Sequence, residues 1–126
     1  MADCLIVDDS EAMRDVAGRL LTGLGHSVRQ AAGPDATLDA CEEGMPEVLL
    51  LDWDLPAMGA LDVLRAAADF PVDKRPVIIL CATENDARQF ALARAAGAPY
   101  HVLKPFDRES LRDVMRRAGF EERAVA

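Results

Sequence analysis

The chain has 126 residues, of which 51% are hydrophobic and 29% are charged, and this composition predicts one globular domain with a sizeable core. Its formal net charge of −8 argues against a broad nucleic-acid-binding surface. Its apolar runs are far too short to span a membrane, and its first residues are too polar for a signal peptide. The three cysteines form no C-x-x-C pair and cannot all be bridged. Cys4 and Cys81 lie in apolar strand patterns, so we expect packed free thiols in a reducing cytoplasm.

Short apolar runs alternate with amphipathic segments along the chain. In chain order, the predicted elements are a strand at 4–7, a helix at 11–24, a strand at 27–30, a helix at 34–43, a strand at 48–52, a helix at 61–70, a strand at 77–81, a helix at 85–96, a strand at 100–103 and a helix at 108–118. Caps and stops mark the helices: Ser10 precedes the first and Gly25 follows it, and Asp107 and Gly119 bound the last.

Five strand–helix repeats predict an α/β domain with a parallel sheet, right-handed crossovers and helices on both faces. A doubly wound sheet of five strands favours the flavodoxin-like order 2-1-3-4-5. In that order the first and third strands are neighbours at the switch point, where such sheets bind ligands. We expect the domain to span residues 1–119 and to be followed by a frayed tail at 120–126.

The third strand is the centre of this arrangement. Residues 48–51 are apolar without interruption, which is typical of a strand buried on both faces, and Pro56 prevents the strand from continuing far beyond Asp52. The Asp52 carboxylate is therefore expected at the rim where ligands bind. Taken alone, it would be interpreted as a solvated aspartate at a strand end.

Other charged residues are predicted at the same rim. Asp8 and Asp9 follow the first strand, and Lys104 follows the fifth. Clustered carboxylates repel one another, and a hard divalent cation such as Mg²⁺ relieves that repulsion. A lysine beside a metal can hold a phosphoryl group during transfer, and a carboxylate facing both can attack phosphorus. The pattern predicts an aspartyl phosphate at Asp52.

Four stretches resemble response-regulator receiver domains of the CheY-like type. They are Leu-Ile-Val-Asp-Asp-Ser at 5–10, Leu-Leu-Asp-Trp-Asp-Leu-Pro-Ala-Met at 50–58, Ala-Gly-Ala at 96–98 and Leu-Lys-Pro-Phe at 103–106. The resemblance extends from Leu5 to about Gly119 and implies a receiver of a two-component phosphorelay.

The resemblance also implies a role for each residue of the site. Asp52 would accept the phosphoryl group, and Lys104, which would precede a cis proline bond, would contact it. Asp8 and Asp9 would hold Mg²⁺ together with Asp52 and the backbone carbonyl of Asp54. A histidine kinase or phosphotransfer protein would be the donor, and a protein target would bind helix 4, strand 5 and helix 5. Such a domain promotes its own phosphorylation and dephosphorylation without being a turnover enzyme, and it binds neither nucleic acid nor membranes.

Three positions depart from the family pattern. The inward-facing Thr or Ser at the end of strand four corresponds to Ala82, and Thr83 should face the other way unless an irregular strand turns it inward. The switch aromatic of strand five corresponds to His101, and the glycine of the loop after the phosphoacceptor stands one place early, at Gly59. The signalling response is therefore expected to differ from the usual one.

Trp53, Ala82 and Thr83 complete the set expected to surround a phosphoryl group at Asp52. Trp53 is predicted to be a partly exposed lid residue and a fluorescence reporter of metal binding. His26 follows Gly25 in a turn and is expected to be a solvated surface histidine.

Two other functions compete with a phosphorylation switch. Ala82 and His101 would suit a degenerate receiver that acts as a constitutive binding module or as a phosphate sink. The Asp-x-Asp pair Asp52 and Asp54 would suit a metal-dependent phosphohydrolase. Such enzymes carry this motif after the first strand and add a cap domain, for which this chain has no length, so that function is disfavoured.

Overall fold

The computed structural model describes residues 2–120. Of the predicted tail at 120–126, all but Phe120 lies outside the described residues. The Phe120 N–H donates to the Met115 carbonyl oxygen (2.8 Å), and the Phe120 ring packs against the core. Within residues 2–120, no helix has the length and apolar character needed to cross a membrane.

Five strands alternate with five helices in the predicted order. The strands are β1 (Asp3–Val7), β2 (Ser27–Ala31), β3 (Val48–Asp52), β4 (Val77–Ala82) and β5 (Tyr100–Leu103). The helices are α1 (Glu11–Gly23), α2 (Pro34–Glu43), α3 (Gly59–Ala68), α4 (Ala87–Ala95) and α5 (Arg108–Arg117). Short 3₁₀ turns at Pro56–Met58 and Val72–Lys74 lie on either side of α3. Helix α3 begins slightly earlier than predicted and α4 slightly later.

The strands form one parallel sheet with the order β2-β1-β3-β4-β5, as predicted. Because successive side chains of a strand point to opposite faces, the core divides into two apolar clusters. On one face Leu50 belongs to the cluster that includes Leu21 of α1 and Leu111 of α5. On the other, Leu49 packs in the cluster formed with α2, α3 and α4, which includes Val63. This arrangement is the doubly wound, flavodoxin-like α/β fold.

The central strand β3 is buried along its whole length. Helices cover both faces of the sheet, so its apolar residues need not alternate with polar ones. Asp52 ends the strand and is only 3% exposed. A carboxylate this deeply buried needs compensating partners, which distinguishes it from a solvated strand-end aspartate.

All three cysteines are buried and free, which confirms the prediction for Cys4 and Cys81. Burial raises the pKa of Cys4 to about 12, and it also raises the pKa values of Cys41 and Cys81. The thiolate is the reactive form of cysteine, so these residues are chemically inert packing groups.

His26 is buried, at 4% exposure, and the prediction of a solvated histidine is wrong. Gly25, with φ of 91°, lets the chain reverse sharply after α1, and His26 then follows beside the start of β1. The His26 Nδ1 accepts a hydrogen bond from the Ala2 N–H (3.0 Å), and its Nε2 is buried without a partner among the described residues. Burial lowers the pKa of His26, so the neutral ring is the stable form.

The loop between β3 and α3 gives a physical reason for the early glycine. Ala57 and Met58 adopt the left-handed backbone conformation, with φ of 54° and 59°. Gly59 has an ordinary helical φ of −58°, but a Cβ atom on it would lie 3.1 Å from Pro34 Cγ at the start of α2. The glycine is therefore needed for the close approach of α3 to α2 and not for its backbone angle.

Helix α4 has few attachments to the rest of the domain. Only Phe90 and Ala93 of this helix are buried, and Leu92 is 69% exposed. The Phe90 ring stacks on His101 of β5, with ring centroids 3.9 Å apart and an interplanar angle of 11°. A small set of side-chain contacts therefore fixes the position of α4.

Candidate functional site

The candidate site lies at the carboxyl ends of β1, β3 and β5. Asp8 follows β1 directly, Asp52 is the last residue of β3, and Lys104 follows β5 directly. Because β1 and β3 are neighbours in the sheet, the two acids lie side by side. Lys104 reaches them across the end of β4. The structure thus brings together residues that are far apart in sequence.

The ammonium group of Lys104 joins the two acids. Its Nζ donates to Asp52 Oδ1 (2.8 Å) and to Asp8 Oδ2 (2.9 Å). The side chains of Lys104, Asp52 and Asp8 are 10%, 3% and 6% exposed. Ionised groups lose hydration free energy when buried, and pairing with an opposite charge offsets that loss. One cation here offsets the burial of two carboxylates.

Main-chain contacts hold Lys104 in place. Its N–H donates to the carbonyl oxygen of Ala82 at the end of β4 (2.8 Å). The peptide bond from Lys104 to Pro105 is cis, as the family resemblance implies. The lysine is thus positioned by the strand adjacent to β3.

Every polar group of Asp8 has a partner. Its N–H donates to the Ala31 carbonyl oxygen at the end of β2 (3.2 Å), and its Oδ1 accepts from the Ser10 N–H (2.9 Å). Its carbonyl oxygen accepts from Arg14 Nη1 (2.8 Å), and its Oδ2 accepts from Lys104. These contacts fix the turn that leads from β1 into α1.

The Asp52 carboxylate is held from two directions. Its Oδ1 accepts from the Asp54 N–H (3.0 Å) as well as from Lys104. The Trp53 N–H donates to the Cys81 carbonyl oxygen (2.8 Å), so the pairing of the β3 backbone with β4 continues past Asp52. The acid is therefore carried by a backbone that is still part of the sheet.

The pKa values of the pair reflect burial and pairing together. Burial raises the pKa of Asp52, and the hydrogen bonds from Lys104 and the Asp54 N–H act against that rise. For Lys104, burial acts to lower the pKa, but its bonds to Asp52 and Asp8 outweigh burial and raise it. Lys104 is therefore a stable cation beside a base that is poorly solvated.

The three acids form a cluster that fits a hard divalent cation. Carboxylate oxygens of Asp8, Asp9 and Asp52 lie within 4.8 Å of one another, with Asp9 exposed and the other two buried. Ligand oxygens at about 2.1 Å from one Mg²⁺ lie at most about 4.2 Å apart, so a small closure would suffice to bring these atoms around an ion. Oxygen donors and clustered negative charge are what Mg²⁺ prefers.

Asp54 and Thr83 contact each other beside this cluster. The exposed Asp54 Oδ2 accepts from Thr83 Oγ1 (3.1 Å) and from the Thr83 N–H (3.4 Å). The carboxylate of Asp54 is therefore engaged outside the cluster of three acids. That the backbone carbonyl of Asp54 is a ligand of Mg²⁺ stays a prediction.

The register of β4 decides between Ala82 and Thr83. The pairing of β4 with β3 is constant from Val77 to Cys81, and its pairing with β5 continues regularly through Ala82. No bulge interrupts β4 within these described pairs, so the alternative of an irregular strand is wrong. The Thr83 hydroxyl donates to Asp54, and Ala82 is buried. The correspondence of Ala82 to the hydroxyl position of the family pattern stays a prediction.

Trp53 connects the site to α4. Its indole is partly exposed, and its Nε1 donates to Gln89 Oε1 on α4 (2.8 Å). His101 of β5 stacks on Phe90 of the same helix. Burial, followed by the charges of Arg117 and Arg94, lowers the pKa of His101. One residue that follows β3 and one residue of β5 thus contact the same helix.

The sequence analysis did not predict two residues that contact the site, Arg14 and Gln89. Both lie on helices, where spacing shows which face is apolar but not which atom a long polar side chain reaches. A usable signal exists for Arg14, since it follows the N-cap Ser10 by about one helical turn and so lies close to the acidic turn. Gln89 carries no comparable signal.

The comparisons with known proteins agree with this fold. Residues 4–116 match the response regulator receiver domain family. The chain therefore belongs to the response regulator receiver family, whose members act in two-component signalling.

Two relatives and one solved structure are matched over nearly their whole length. The chain is 34% identical over 115 residues to chemotaxis protein CheY of Pseudomonas aeruginosa, a match that covers 90% of this chain and 92% of that protein. It is 29% identical over 113 residues to sporulation initiation phosphotransferase F of Bacillus subtilis, covering 90% of each. A high-resolution structure of the chemotaxis response regulator CheY4 of Vibrio cholerae superposes with a TM-score of 0.84 at 27% identity, covering 93% of this chain and 98% of that one.

One relative is a longer protein that is named as an enzyme. The chain is 36% identical over 117 residues to a protein-glutamate methylesterase/protein-glutamine glutaminase of Treponema pallidum. The match covers 90% of this chain but only 29% of that protein.

Proposed function

We propose that this receiver is a phosphorylation switch in which Asp52 accepts a phosphoryl group from a phosphohistidine of a histidine kinase or phosphotransfer protein. The observation that carries the proposal is the Lys104 ammonium, which bridges Asp52 and Asp8 at 2.8 and 2.9 Å beside a cluster of three acids. This arrangement supplies a carboxylate nucleophile, a fixed cation and a metal-ligand set at one point.

In the proposed transfer, an oxygen of Asp52 attacks the phosphorus atom while the bond from phosphorus to the donor imidazole breaks. The imidazole keeps the electron pair of that bond and takes up a proton, and Asp52 becomes an acyl phosphate. Bound Mg²⁺ would neutralise oxygens of the transferred group, which is the main chemical requirement of such a reaction. Asp8, Asp9, Asp52 and the Asp54 carbonyl would hold the ion.

Lys104 has the second role in the proposed mechanism. In the free protein its ammonium contacts Asp52 Oδ1, and after transfer it would contact a phosphoryl oxygen attached to the same carboxylate. Because its backbone is fixed by the Ala82 carbonyl, only the flexible end of the side chain needs to move. Lys104 thus orients the group without exchanging protons with it.

We propose a protein target for the phosphorylated form, on the surface formed by α4, β5 and α5. Binding of the phosphorylated form to such a target is a signal and not a turnover reaction, and no nucleic acid or membrane is part of the proposal. Three buried free thiols suit a reducing cytoplasm. We take residues 1–119 as the signalling unit, with the tail beyond it.

A second candidate function is supported by Ala82. A receiver that cannot pull a hydroxyl toward the phosphoryl group would act as a phosphate sink or as a constitutive binding module. The buried methyl group of Ala82 and the stacked ring of His101 both favour this alternative.

The test of phosphorylation is intact mass after incubation with acetyl phosphate and Mg²⁺. We expect one added phosphoryl group in the wild type and none in Asp52→Asn. The matched control is Asp54→Asn, which removes a nearby exposed carboxylate and should keep the label. Label that persists in Asp52→Asn, or a wild type that takes up none, would contradict the proposal.

A further inference from the structure

Arg14 contacts the site, although it is neither a predicted metal ligand nor a predicted phosphoryl contact. Its Nη1 donates to the Asp8 carbonyl oxygen (2.8 Å), and its Nε donates to Gln30 Oε1 on β2 (3.1 Å). The Gln30 Nε2 in turn donates to Asp15 Oδ1 (3.4 Å). The guanidinium is therefore oriented by β2 and α1 at the point where it meets the turn after β1.

The contact fixes one particular peptide group. The Asp8 carbonyl belongs to the planar peptide that joins Asp8 to Asp9, so a bond to its oxygen also sets the direction in which Asp9 leaves the turn. The carboxylate of Asp8 already has partners in Ser10 and Lys104. Asp9 is exposed, so its backbone is the main determinant of where its carboxylate can lie.

We propose that Arg14 is a positioning residue for the divalent-cation site and that Gln30 orients it. Through the Asp8 carbonyl, Arg14 sets the Asp8–Asp9 peptide so that both carboxylates face one ion. This inference rests on the proposed function, because it assumes that the acidic cluster binds Mg²⁺. Residues that hold metal ligands by hydrogen bonds commonly change metal affinity by about 10–100-fold when they are replaced.

The positive charge of Arg14 affects Mg²⁺ affinity in the direction opposite to its positioning role, and the two effects can be separated by experiment. A cation near the cluster repels Mg²⁺, so loss of that charge alone would tighten binding, and salt would screen the difference. Loss of positioning would weaken binding and persist at high salt. Gln30 separates the two effects further, because its replacement leaves the charge of Arg14 in place.

The experiment is isothermal titration calorimetry of the full chain with MgCl₂, at low and high NaCl concentration. We expect Arg14→Met to weaken Mg²⁺ binding by about 10-fold at high NaCl concentration and by somewhat less at low NaCl concentration, where loss of the charge acts to tighten binding. Gln30→Ala should weaken it to a smaller extent, and Arg14→Lys should restore little, because a lysine cannot make the two directed bonds. The matched control is Arg19→Met, which removes one exposed charge from the same helix and should leave affinity unchanged.

Other outcomes would overturn the inference. Unchanged or tighter Mg²⁺ binding in Arg14→Met would show that charge and not positioning dominates. If thermal melting without Mg²⁺ shows that Arg14→Met does not fold, Gln30→Ala decides, and unchanged affinity in that variant rejects the positioning role. A wild type that binds no Mg²⁺ would refute the proposed function itself, whereas equal binding by wild type and both variants would refute only the role of Arg14.

Discussion

Lys104 is the residue on which the charge balance of the site depends. Its replacement by Met would leave the buried carboxylates of Asp8 and Asp52 adjacent to each other with no cation. Removal of one partner from a buried ion pair commonly costs about 3–5 kcal/mol of stability. We expect Lys104→Met to lower the free energy of unfolding in Mg²⁺-free buffer by an amount near the lower end of that range, measured by urea denaturation.

A double variant serves as the control for Lys104. In Lys104→Met the added change Asp52→Asn removes one of the two unpaired carboxylates, so it should recover part of the lost stability. The same Asp52→Asn change in the wild-type background should recover nothing comparable, because Lys104 is still present. Full stability of Lys104→Met would show that the paired charges contribute little to the fold.

His26 makes the stability of the domain depend on pH. Burial lowers its pKa in the folded chain, whereas in the unfolded chain the pKa is about 6.5. As the pH falls, the unfolded chain binds the proton first. The contribution of neutral His26 is therefore fully present above about pH 6.5 and is lost as the pH falls toward the folded pKa.

We therefore expect the free energy of unfolding of the wild type to fall more steeply below about pH 6.5 than that of His26→Gln, which has no proton to gain in this range. Urea denaturation at several pH values measures both slopes. Parallel slopes for the two proteins would rule out His26 as the titrating group.

The positions of the acids and of Lys104 could be predicted because each follows an apolar strand, and strand ends in a parallel sheet share one rim. The position of His26 could not be predicted. Its burial depends on where the N-terminal residues pass, and the Ala2 N–H that it binds is 24 positions away in sequence. Arg14 was missed for a similar reason, since a helical pattern does not specify hydrogen bonds to a neighbouring turn.

Helix α4 is the element through which a response to phosphorylation would have to spread. Gln89 binds Trp53, the residue after Asp52, and Phe90 stacks on His101. A ligand shifts a conformational equilibrium only through contacts that differ between the two states. Ala82 offers no hydroxyl to a phosphoryl group, so we expect α4 to move little in the wild type.

The measurement is amide NMR spectra with and without beryllofluoride, a mimic of the phosphoryl group. We expect small shifts confined to the site in the wild type, and shifts that extend to α4 and His101 in Ala82→Thr. One charge-assisted hydrogen bond contributes about 1.5–3 kcal/mol, which is comparable to a typical allosteric coupling energy. Large shifts across α4 and β5 in the wild type would refute uncoupling, and Gln89→Ala would then test whether Trp53 carries the signal.

The helices and strands were largely predictable, because N-cap residues and glycines mark where most helices begin and end. Ser10 and Asp107 cap α1 and α5 by accepting backbone hydrogen bonds, as their positions indicated. Helix α3 was less predictable. It begins at Gly59, which lies close to Pro34 of another helix, and local sequence does not reveal such a tertiary contact.

At the level of the whole molecule, Mg²⁺ should stabilise the fold. A ligand that binds only the native state raises the free energy of unfolding by RT ln(1 + [L]/Kd), or about 2.7 kcal/mol at a hundredfold excess over Kd. We expect MgCl₂ to raise the melting temperature of the wild type and Asp9→Ala to lose that gain. Because the chain has a net charge of −8, any salt reduces self-repulsion, so NaCl at equal ionic strength is the control. An equal response in Asp9→Ala would contradict specific binding.

The large sequence separation between Lys104 and the two acids has a consequence for the order of folding. Its contacts join residues that are 96 and 52 positions apart in sequence, so the closing of long loops must precede them. A chain that has formed β1 to β4 but not yet docked β5 would hold both acids without their cation. Detachment of β5 and α5 alone would likewise separate Lys104 from Asp8 and Asp52. We therefore expect the completed site to form late in folding, and its chemistry to be lost in any partial unfolding that releases the C-terminal strand and helix.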